Sequence, residues 1–213
     1  MTQNFPPKIG GIQTVMFSLA KDLASMGHEV HVFPDHWFLG IDSFNVSNLI
    51  SPKIFRQYIK KLLLSIKGHK ENIIICDTWK SVNAVPKKFK NIILFAHGQE
   101  YLKLKNKNKI LSSLLRTKIL IASSKYTLDL IKKNWNVSHI NANVLYPTYH
   151  IKKLFFENRP LNRVTNFISI CRIEKRKGLL QSLIALKKIE SLGYNYFWNI
   201  IGEGPQLIEL KQK

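Results

Sequence analysis

"NIILFAHGQEYLKLKNKNKILSSLLRTKILIASSKYTLDLIKKN", residues 91–134, contains two short apolar runs, each followed by a stretch of helical period. The runs 91–96 and 118–123 lack the polar alternation of a half-exposed strand. Strands buried on both faces read this way, and they belong to parallel sheets covered by helices. The stretches 109–116 and 124–134 supply such helices. Outward in sequence the alternation repeats. "NIIIC" (72–76) is a third apolar strand, preceded by a helix over 52–67 with Phe55, Ile59, Leu62, Leu63 and Ile66 on one side. Further upstream, Val15, Leu19, Leu23 and Met26 recur at helical spacing from Ile12 onward, in a helix over Ile12 to Ser25. Gly27 closes that helix and "HEVHVF" (28–33) follows as a strand. "VLYPTYH" (144–150) is a strand that ends at Pro147. The order predicts an α/β fold with a doubly wound, Rossmann-like parallel sheet.

A polar connection over 152–166 places a domain boundary near residue 160, giving domains 1–160 and 161–213. The second begins afresh with a strand at 167–172, a helix at 178–191, a strand at 197–202 and a helix reaching Lys213. It is short against the roughly 100–150 residues of a usual domain.

Composition narrows the classes. With 45% apolar and 11% aromatic residues the chain can build a core. No window reaches the length of a membrane span, and the N-terminus lacks the apolar stretch of a signal peptide. Cys76 and Cys171 lie in separate apolar runs, as buried free thiols of a reducing cytoplasm do. Against 13 Asp+Glu stand 33 Lys+Arg, a net charge of +20. That excess attracts nucleic acid, anionic lipid and phosphorylated metabolites alike.

Four stretches can carry chemistry. Gly10 and Gly11 directly precede a helix, whose N-terminal N–H groups and positive dipole end suit an anion when side chains stay clear. A plain loop reads the same. In "CRIEKRKG" (171–178), Arg172 closes a strand and Lys177 opens a helix; Arg forks onto phosphate oxygens and Lys adds a compact charge. The alternative is a solvated basic turn. In "IIGEGP" (200–205), Gly202 and Gly204 allow close backbone approach, by a nucleotide or merely within a tight turn. His97 in "FAHGQE" emerges where a strand ends, suited to proton transfer or a sugar hydroxyl; a loop carbonyl would also satisfy it. His28 and His31 point to opposite strand faces, and no Cys-x-x-Cys or His-Glu-x-x-His pattern occurs, so no metal is assigned. On the 52–67 helix Lys53, Arg56, Lys60 and Lys67 lie opposite the apolar stripe, the make-up of an interfacial helix or of an ordinary surface one. The run Lys103, Lys105, Lys107, Lys109 adds charge nearby.

"FPPKIGGIQTVMFSLAKDLASMGHEVHVF", "FAHGQEYL", "ILIASSKYTLDLIKK", "ICRIEKRKGLLQSLIALKKI" and "IIGEGP", in this order, resemble the retaining glycosyltransferases of the group-one class, also called family four. The resemblance runs from about residue 5 to residue 210 and implies the GT-B architecture, two Rossmann-like domains facing across a cleft. The first would bind the acceptor and the second a nucleotide-sugar donor, with no metal and no cofactor beyond that donor. It implies that Gly10 and Gly11 approach the donor from the first domain. Arg172 and Lys177 would hold the diphosphate as it leaves, His97 would lie near the transferred sugar, and Gly202 and Gly204 near the base. Arg172, Lys177 and His97 are thus the implied catalytic residues.

Two departures stand out. The family opens with an apolar strand, where this chain has "MTQN", and continues past "GEGP" to a Glu-x7-Glu motif, where this chain has Lys213. The expectation is therefore an incomplete pair of domains, lacking a first strand and part of the donor domain, with a partner chain as one source of the remainder. The implied function is sugar transfer, with retention, to a glycan or lipid-linked acceptor in surface polysaccharide or glycolipid synthesis. The implied place is the cytoplasm, in peripheral contact with an anionic inner membrane face. Two other readings stay open. A nucleic-acid-binding protein would interleave aromatics with its basic clusters, which 103–109 does not. A non-catalytic protein would bind only lipid or a partner.

Overall fold

Helix α1 (Gly11–Ser25) buries Met16 and Ala20, one turn apart, and stops where Gly27 takes a left-handed φ of 89°. It delivers the chain to strand β1 (His31–Val32), which pairs in parallel with β2 (Asn45–Val46). Helix α2 (Arg56–Lys67) leads to β3 (Ile74–Cys76), the short helix α3 (Trp79–Asn83) and β4 (Ile92–Ala96). Then come α4 (Lys107–Leu115), β5 (Ile119–Ala122), α5 (Lys125–Asn134) and β6 (Asn141–Val144). After these stand β7 (Thr165–Ile170), α6 (Leu179–Ser191), β8 (Tyr196–Ile201) and α7 (Leu207–Lys211).

The computed structural model describes residues 1–40, 42–48, 51–52, 54–102, 106–137, 140–147 and 164–212. They fall in two compact units, Met1–His150 and Ile151–Lys213. The expected boundary near residue 160, the end of the 144–150 strand, and Lys53, Lys103 and Lys105 lie outside the described residues.

In the first unit β3, β4, β5 and β6 form a sheet in that order, every pair parallel. Its middle strands bury Ile92, Leu94, Ala96, Leu120 and Ala122 completely. Burying each such large aliphatic side chain contributes roughly 1.5–3 kcal/mol. Met1 and Thr2 join this sheet to β1. The Met1 amino group donates to the Ile75 carbonyl at 2.9 Å, and Thr2 N–H to the Phe33 carbonyl at 3.2 Å. At this end the order is therefore β2, β1, Met1–Thr2, β3, β4, β5, β6.

Two elements differ from the sequence reading. The last strand of the first unit lies at 141–144, ahead of the expected 144–150. Asn141–Val144 is an edge strand with alternate residues exposed, and its Asn-Ala-Asn start hides it from an apolar-run criterion. Helix α2 is also turned relative to the expected face. Lys60 is buried with Leu64, while Phe55, Leu62 and Ile66 are exposed. The cause is electrostatic: Lys60 Nζ forms an ion pair with Asp35 and donates to the Thr2 carbonyl at 2.7 Å.

The second unit has the parallel pair β7–β8, with α6 and α7. Ile168, Ile170, Phe197 and Ile201 on these strands are all more than half exposed.

Both cysteines are free thiols, Cys76 buried and Cys171 half-buried. Burial pushes the Cys76 thiol up to about 12. In a timed alkylation at about pH 8, Cys171 should therefore react first and Cys76 only after denaturant is added. Equal labelling of the two in the folded chain would contradict this packing.

Candidate functional site

Parallel strands deliver their following residues to one edge, so the carboxyl ends of β3, β4 and β5 place Asp77, His97 and Ser124 along a common rim. Asp77 is fully buried and is its hub. Its Oδ2 accepts from Thr2 Oγ1 and Gln3 N–H at 2.9 Å, from Asn4 N–H at 2.9 Å and from Asn4 Nδ2 at 3.1 Å, while Oδ1 accepts from Ser81 Oγ at 2.5 Å. This anchors the segment that runs through Phe5 to Gly10. Phe5 itself is sealed among Phe17, Phe38 and Phe44, with ring centroids 5.4–6.0 Å away. The double glycine thus leaves a fixed root.

Gly10 is extended and caps α1 without any side-chain hydrogen bond, so no side chain caps the first N–H groups of the helix. A methyl group built on Gly11 meets nothing within 4 Å, and one on Gly10 meets only the mobile end of Gln13. Packing within the unit does not demand glycine at Gly11.

His97 follows β4 directly. Its backbone N–H donates to Glu100 Oε1 at 2.9 Å, while the ring Nε2 is buried with no partner. Burial lowers the imidazole pKa, against an opposing pull from the Glu100 and Asp77 charges. One ring nitrogen is thus left free to accept or donate. Gly98 beside it has φ 110°, and a Cβ there would stand 3.0 Å from Thr127 Oγ1. Ser124 caps α5 by accepting from Thr127 N–H at 3.1 Å.

His31 and His36 are likewise lowered, chiefly by burial. The three share a consequence. Below the ordinary value of 6.5 the unfolded chain binds more protons than the folded one. Stability is thus full above that pH and is lost as pH falls beneath it. Urea midpoints measured at about pH 7.5 and about pH 5.5 should show the loss, and His97→Asn should reduce it. A midpoint that rises on acidification would contradict the burial of these rings.

In the second unit, β7 and β8 end side by side and their following loops run together. Cys171 N–H donates to the Ile201 carbonyl at 3.1 Å and Ile173 N–H to the Glu203 carbonyl at 2.8 Å. A Cβ on Gly202 would fall 1.9 Å from the Cys171 carbonyl oxygen, and one on Gly204 2.2 Å from that of Ile173. These glycines therefore have a structural reason independent of any ligand: they let the two loops touch. Between the contacts stands Arg172, exposed. Lys177, also exposed, ends a 3-10 turn (Lys175–Lys177) before Gly178, whose φ of 69° starts α6. Among the described residues neither Arg172 nor Lys177 has an ion-pair partner, whereas the neighbouring Arg176 pairs with Glu174. Arg172, Lys177, Gly202 and Gly204 are thus brought to one loop pair, beside the uncapped N-terminus of a 13-residue helix. Gly10, Gly11 and His97 belong to the first unit. No group of three or more His, Cys, Asp or Glu among the described residues could hold a metal ion.

Sequence reading did not find Asp77. Its signal is the string "CDTWKS", an acid directly after a buried strand, followed by Thr78, which caps α3.

Comparison with known proteins places these features. The model of Glycosyltransferase Family 4 matches residues 9–153. No curated protein matches the chain. Among solved structures, it is similar to WaaG, a glycosyltransferase involved in lipopolysaccharide biosynthesis, at 15% identity and a TM-score of 0.69. That match covers 100% of this chain and 65% of that one, so the chain spans a little under two thirds of WaaG. It is also similar to the catalytic domain of starch synthase IV from Arabidopsis thaliana bound to ADP and acarbose. There the identity is 14% and the TM-score 0.62, over 99% of this chain and 69% of that one. The likeness is one of fold. It agrees with the expected α/β, Rossmann-like architecture of GT-B type, present in part.

Proposed function

The chain belongs to glycosyltransferase family 4, and from that premise we propose that it carries the acceptor-side domain and part of the donor-side domain of a sugar transferase. The donor is a nucleotide diphosphate sugar, the acceptor a glycan or lipid-linked glycan, and the configuration at the transferred carbon is retained. The observation that carries the reading is the pair of unpartnered cations, Arg172 and Lys177, at the mouth of α6. The ADP bound in the starch synthase structure supports a nucleoside diphosphate as the ligand class. Surface polysaccharide or glycolipid synthesis follows from the role of WaaG, by analogy of fold alone.

The chemistry follows from charge. As the bond from the sugar carbon to the diphosphate breaks, negative charge gathers on the leaving oxygen. Arg172 donates a planar fork to it, Lys177 a point charge, and the α6 N–H groups fixed dipoles. Such preorganised donors stabilise the departing group without a metal. Each is worth roughly 3–4 kcal/mol in the transition state. His97, its pKa lowered by burial and its Nε2 unengaged, is suited to hydrogen-bond a sugar hydroxyl. The Gly11 backbone, free of any packing demand, offers N–H groups to an anion.

Calorimetric titration with UDP, GDP and ADP tests the reading. One of the three should bind saturably with one-to-one stoichiometry. Binding of duplex DNA with a steep salt dependence, and of none of the three nucleotides, would overturn it in favour of a nucleic-acid protein.

Membrane contact belongs to the same proposal. No helix among the described residues is long and apolar enough to cross a membrane. Yet α2 and its lead-in expose Ile54 at 78%, Tyr58 at 73% and Ile66 at 72%, beside Phe55 and Leu62, with Lys61 on the same exposed surface. An apolar stripe carrying a lysine suits an anionic bilayer surface, where such a charge adds about 1 kcal/mol. The cytoplasmic leaflet is the site proposed. Co-sedimentation with phosphatidylglycerol vesicles should be strong and should fall about tenfold in Leu62→Asp/Ile66→Asp. Equal sedimentation of that variant would remove α2 from the contact.

A further inference from the structure

A cavity of about 420 Å³ opens in the first unit at the amino ends of β4 and β5. Lys90 stands two residues before β4, and Lys118 directly before β5, where its N–H donates to the Ile92 carbonyl at 2.9 Å. Asp77, His97 and Ser124 follow the carboxyl ends of their strands, so this cavity is on the opposite edge of the sheet. Ligands of open α/β sheets ordinarily gather at the carboxyl edge. Sugar transfer as proposed above therefore makes no use of these residues.

Every ionisable side chain that lines the cavity is a cation: Lys87, Lys90, Arg116 and Lys118. Part of this charge serves the fold. The Arg116 guanidinium donates to the carbonyls of Val82, Val85 and Pro86, at and just past the end of α3, at 3.1, 2.7 and 3.1 Å. These bonds hold it in place and leave part of its donor set unspent. Burial lowers the Arg116 pKa, and no carboxylate is among the charges that oppose the shift. The lysines are needed less. Lys118 Nζ donates to the neutral Asn91 Oδ1 at 2.9 Å, and among the described residues the side chains of Lys87 and Lys90 have no hydrogen bond or ion pair. Lys88 differs, since its Nζ donates to the Ser65 and Gly68 carbonyls at 2.9 and 3.3 Å. The acid on this side is Glu71, whose backbone carbonyl accepts from Asn91 Nδ2 at 3.4 Å. Its carboxylate is exposed and does not line the cavity, and Lys70 precedes it. Buried Phe89 and Leu115, 58% exposed, supply the apolar part of the lining.

We propose that this cavity binds the phosphate group of a phosphomonoester, with the organic part of the molecule along Leu115. A phosphomonoester carries close to two negative charges and several acceptor oxygens, which match the surplus of cations better than a carboxylate does. Lys87, Lys90 and Lys118 supply mobile point charges and Arg116 a fixed one. Two sources carry the group, a soluble ester and the headgroup of an anionic lipid. Lys88 ties the turn that bears Lys87 and Lys90 to the end of α2, where Ile66 is exposed. The lipid source thus rests on the bilayer contact proposed above, whereas the site itself does not.

The probes are glycerol 3-phosphate and dihexanoyl phosphatidic acid, the latter kept below its micelle concentration. Each is titrated into the full chain and followed by amide chemical shifts. Saturable movements are expected at Lys87, Lys90 and residues 116–118 with both probes, and none there with glycerol. Tighter binding of the lipid identifies a headgroup as the natural source, and equal binding identifies a soluble ester. Lys87→Glu/Lys90→Glu, at two exposed positions, should weaken both probes about tenfold or more while the circular dichroism stays unchanged. Lys132→Glu/Lys133→Glu, the same change of charge on exposed positions of α5, should leave them unaffected. Absence of saturable movement at 87–90 and 116–118 overturns the proposal. So do movements confined to 171–178, movements that glycerol reproduces, or equal weakening by the two double variants, which would reduce the binding to net charge.

Discussion

Asp77→Ala should lower folding stability by on the order of 4 kcal/mol, the largest loss expected of any single change in the first unit. The carboxylate is fully buried and accepts five hydrogen bonds, four of them from Thr2, Gln3 and Asn4. Removing it strands those donors away from water, and each stranded group costs about 1–3 kcal/mol. Part is recovered because the segment can loosen and hydrate. Asp77→Asn keeps the shape but loses the charge and turns a donor toward donors, so it should fall between Ala and the parent. Urea midpoints of the three proteins check this, and a loss below about 1 kcal/mol for Ala would show that residues 2–4 are held by something else. The effect reaches beyond stability. Asp77 roots the segment that ends in Gly10 and Gly11, so its loss should blur the α1 N-terminus while leaving the second unit intact.

Arg172→Ala should weaken nucleoside diphosphate binding by roughly tenfold to a hundredfold. A guanidinium-to-phosphate hydrogen bond is charge-assisted and bidentate, and Ala leaves the anion with Lys177 and the α6 N-terminus only. Arg172→Lys restores the charge without the fork and should recover part of the loss. The control lies four residues on. Arg176 is also basic and exposed, but its guanidinium is engaged by Glu174, so Arg176→Ala should change affinity little. If Arg172 and Arg176 proved equally sensitive, binding would reflect general positive charge rather than a formed site.

Much of the fold can be read from hydrophobic period. Helices α1 and α5 and strands β4 and β5 fall within a few residues of where apolar spacing puts them, because tertiary burial and local pattern agree there. Where they conflict, the pattern fails. Lys60 lies in the polar stripe of α2 by period, yet Asp35 and the Thr2 carbonyl turn it inward and leave Leu62 and Ile66 outside. No one-dimensional pattern contains that pairing, since its partners lie 25 and 58 positions away. Strands β2 and β6 escape notice for another reason: short edge strands bury little, so Asn45–Val46 and Asn141–Val144 need no apolar run.

The site divides in the same manner. Arg172 and Lys177 are legible because a basic pair straddling a strand-to-helix turn is rare and chemically pointed. Gly202 and Gly204 are legible as glycines but not in purpose. Their contacts with the Cys171 and Ile173 carbonyls show that they join two loops, a pairing visible only once both strands are placed. Asp77 is illegible because its importance rests on four donors from Thr2, Gln3 and Asn4, more than 70 positions away, none telling alone.

Amide chemical shifts of the full chain, recorded as UDP, GDP or ADP is added to saturation, test the diphosphate site most directly. The account expects the largest movements at Arg172, Lys177, Gly178 and the first turn of α6, with smaller ones at Gly202 and Gly204, and all of them lost in Arg172→Ala. Shifts spread over the lysines of α2 and α4, with residues 171–178 unmoved, would contradict it.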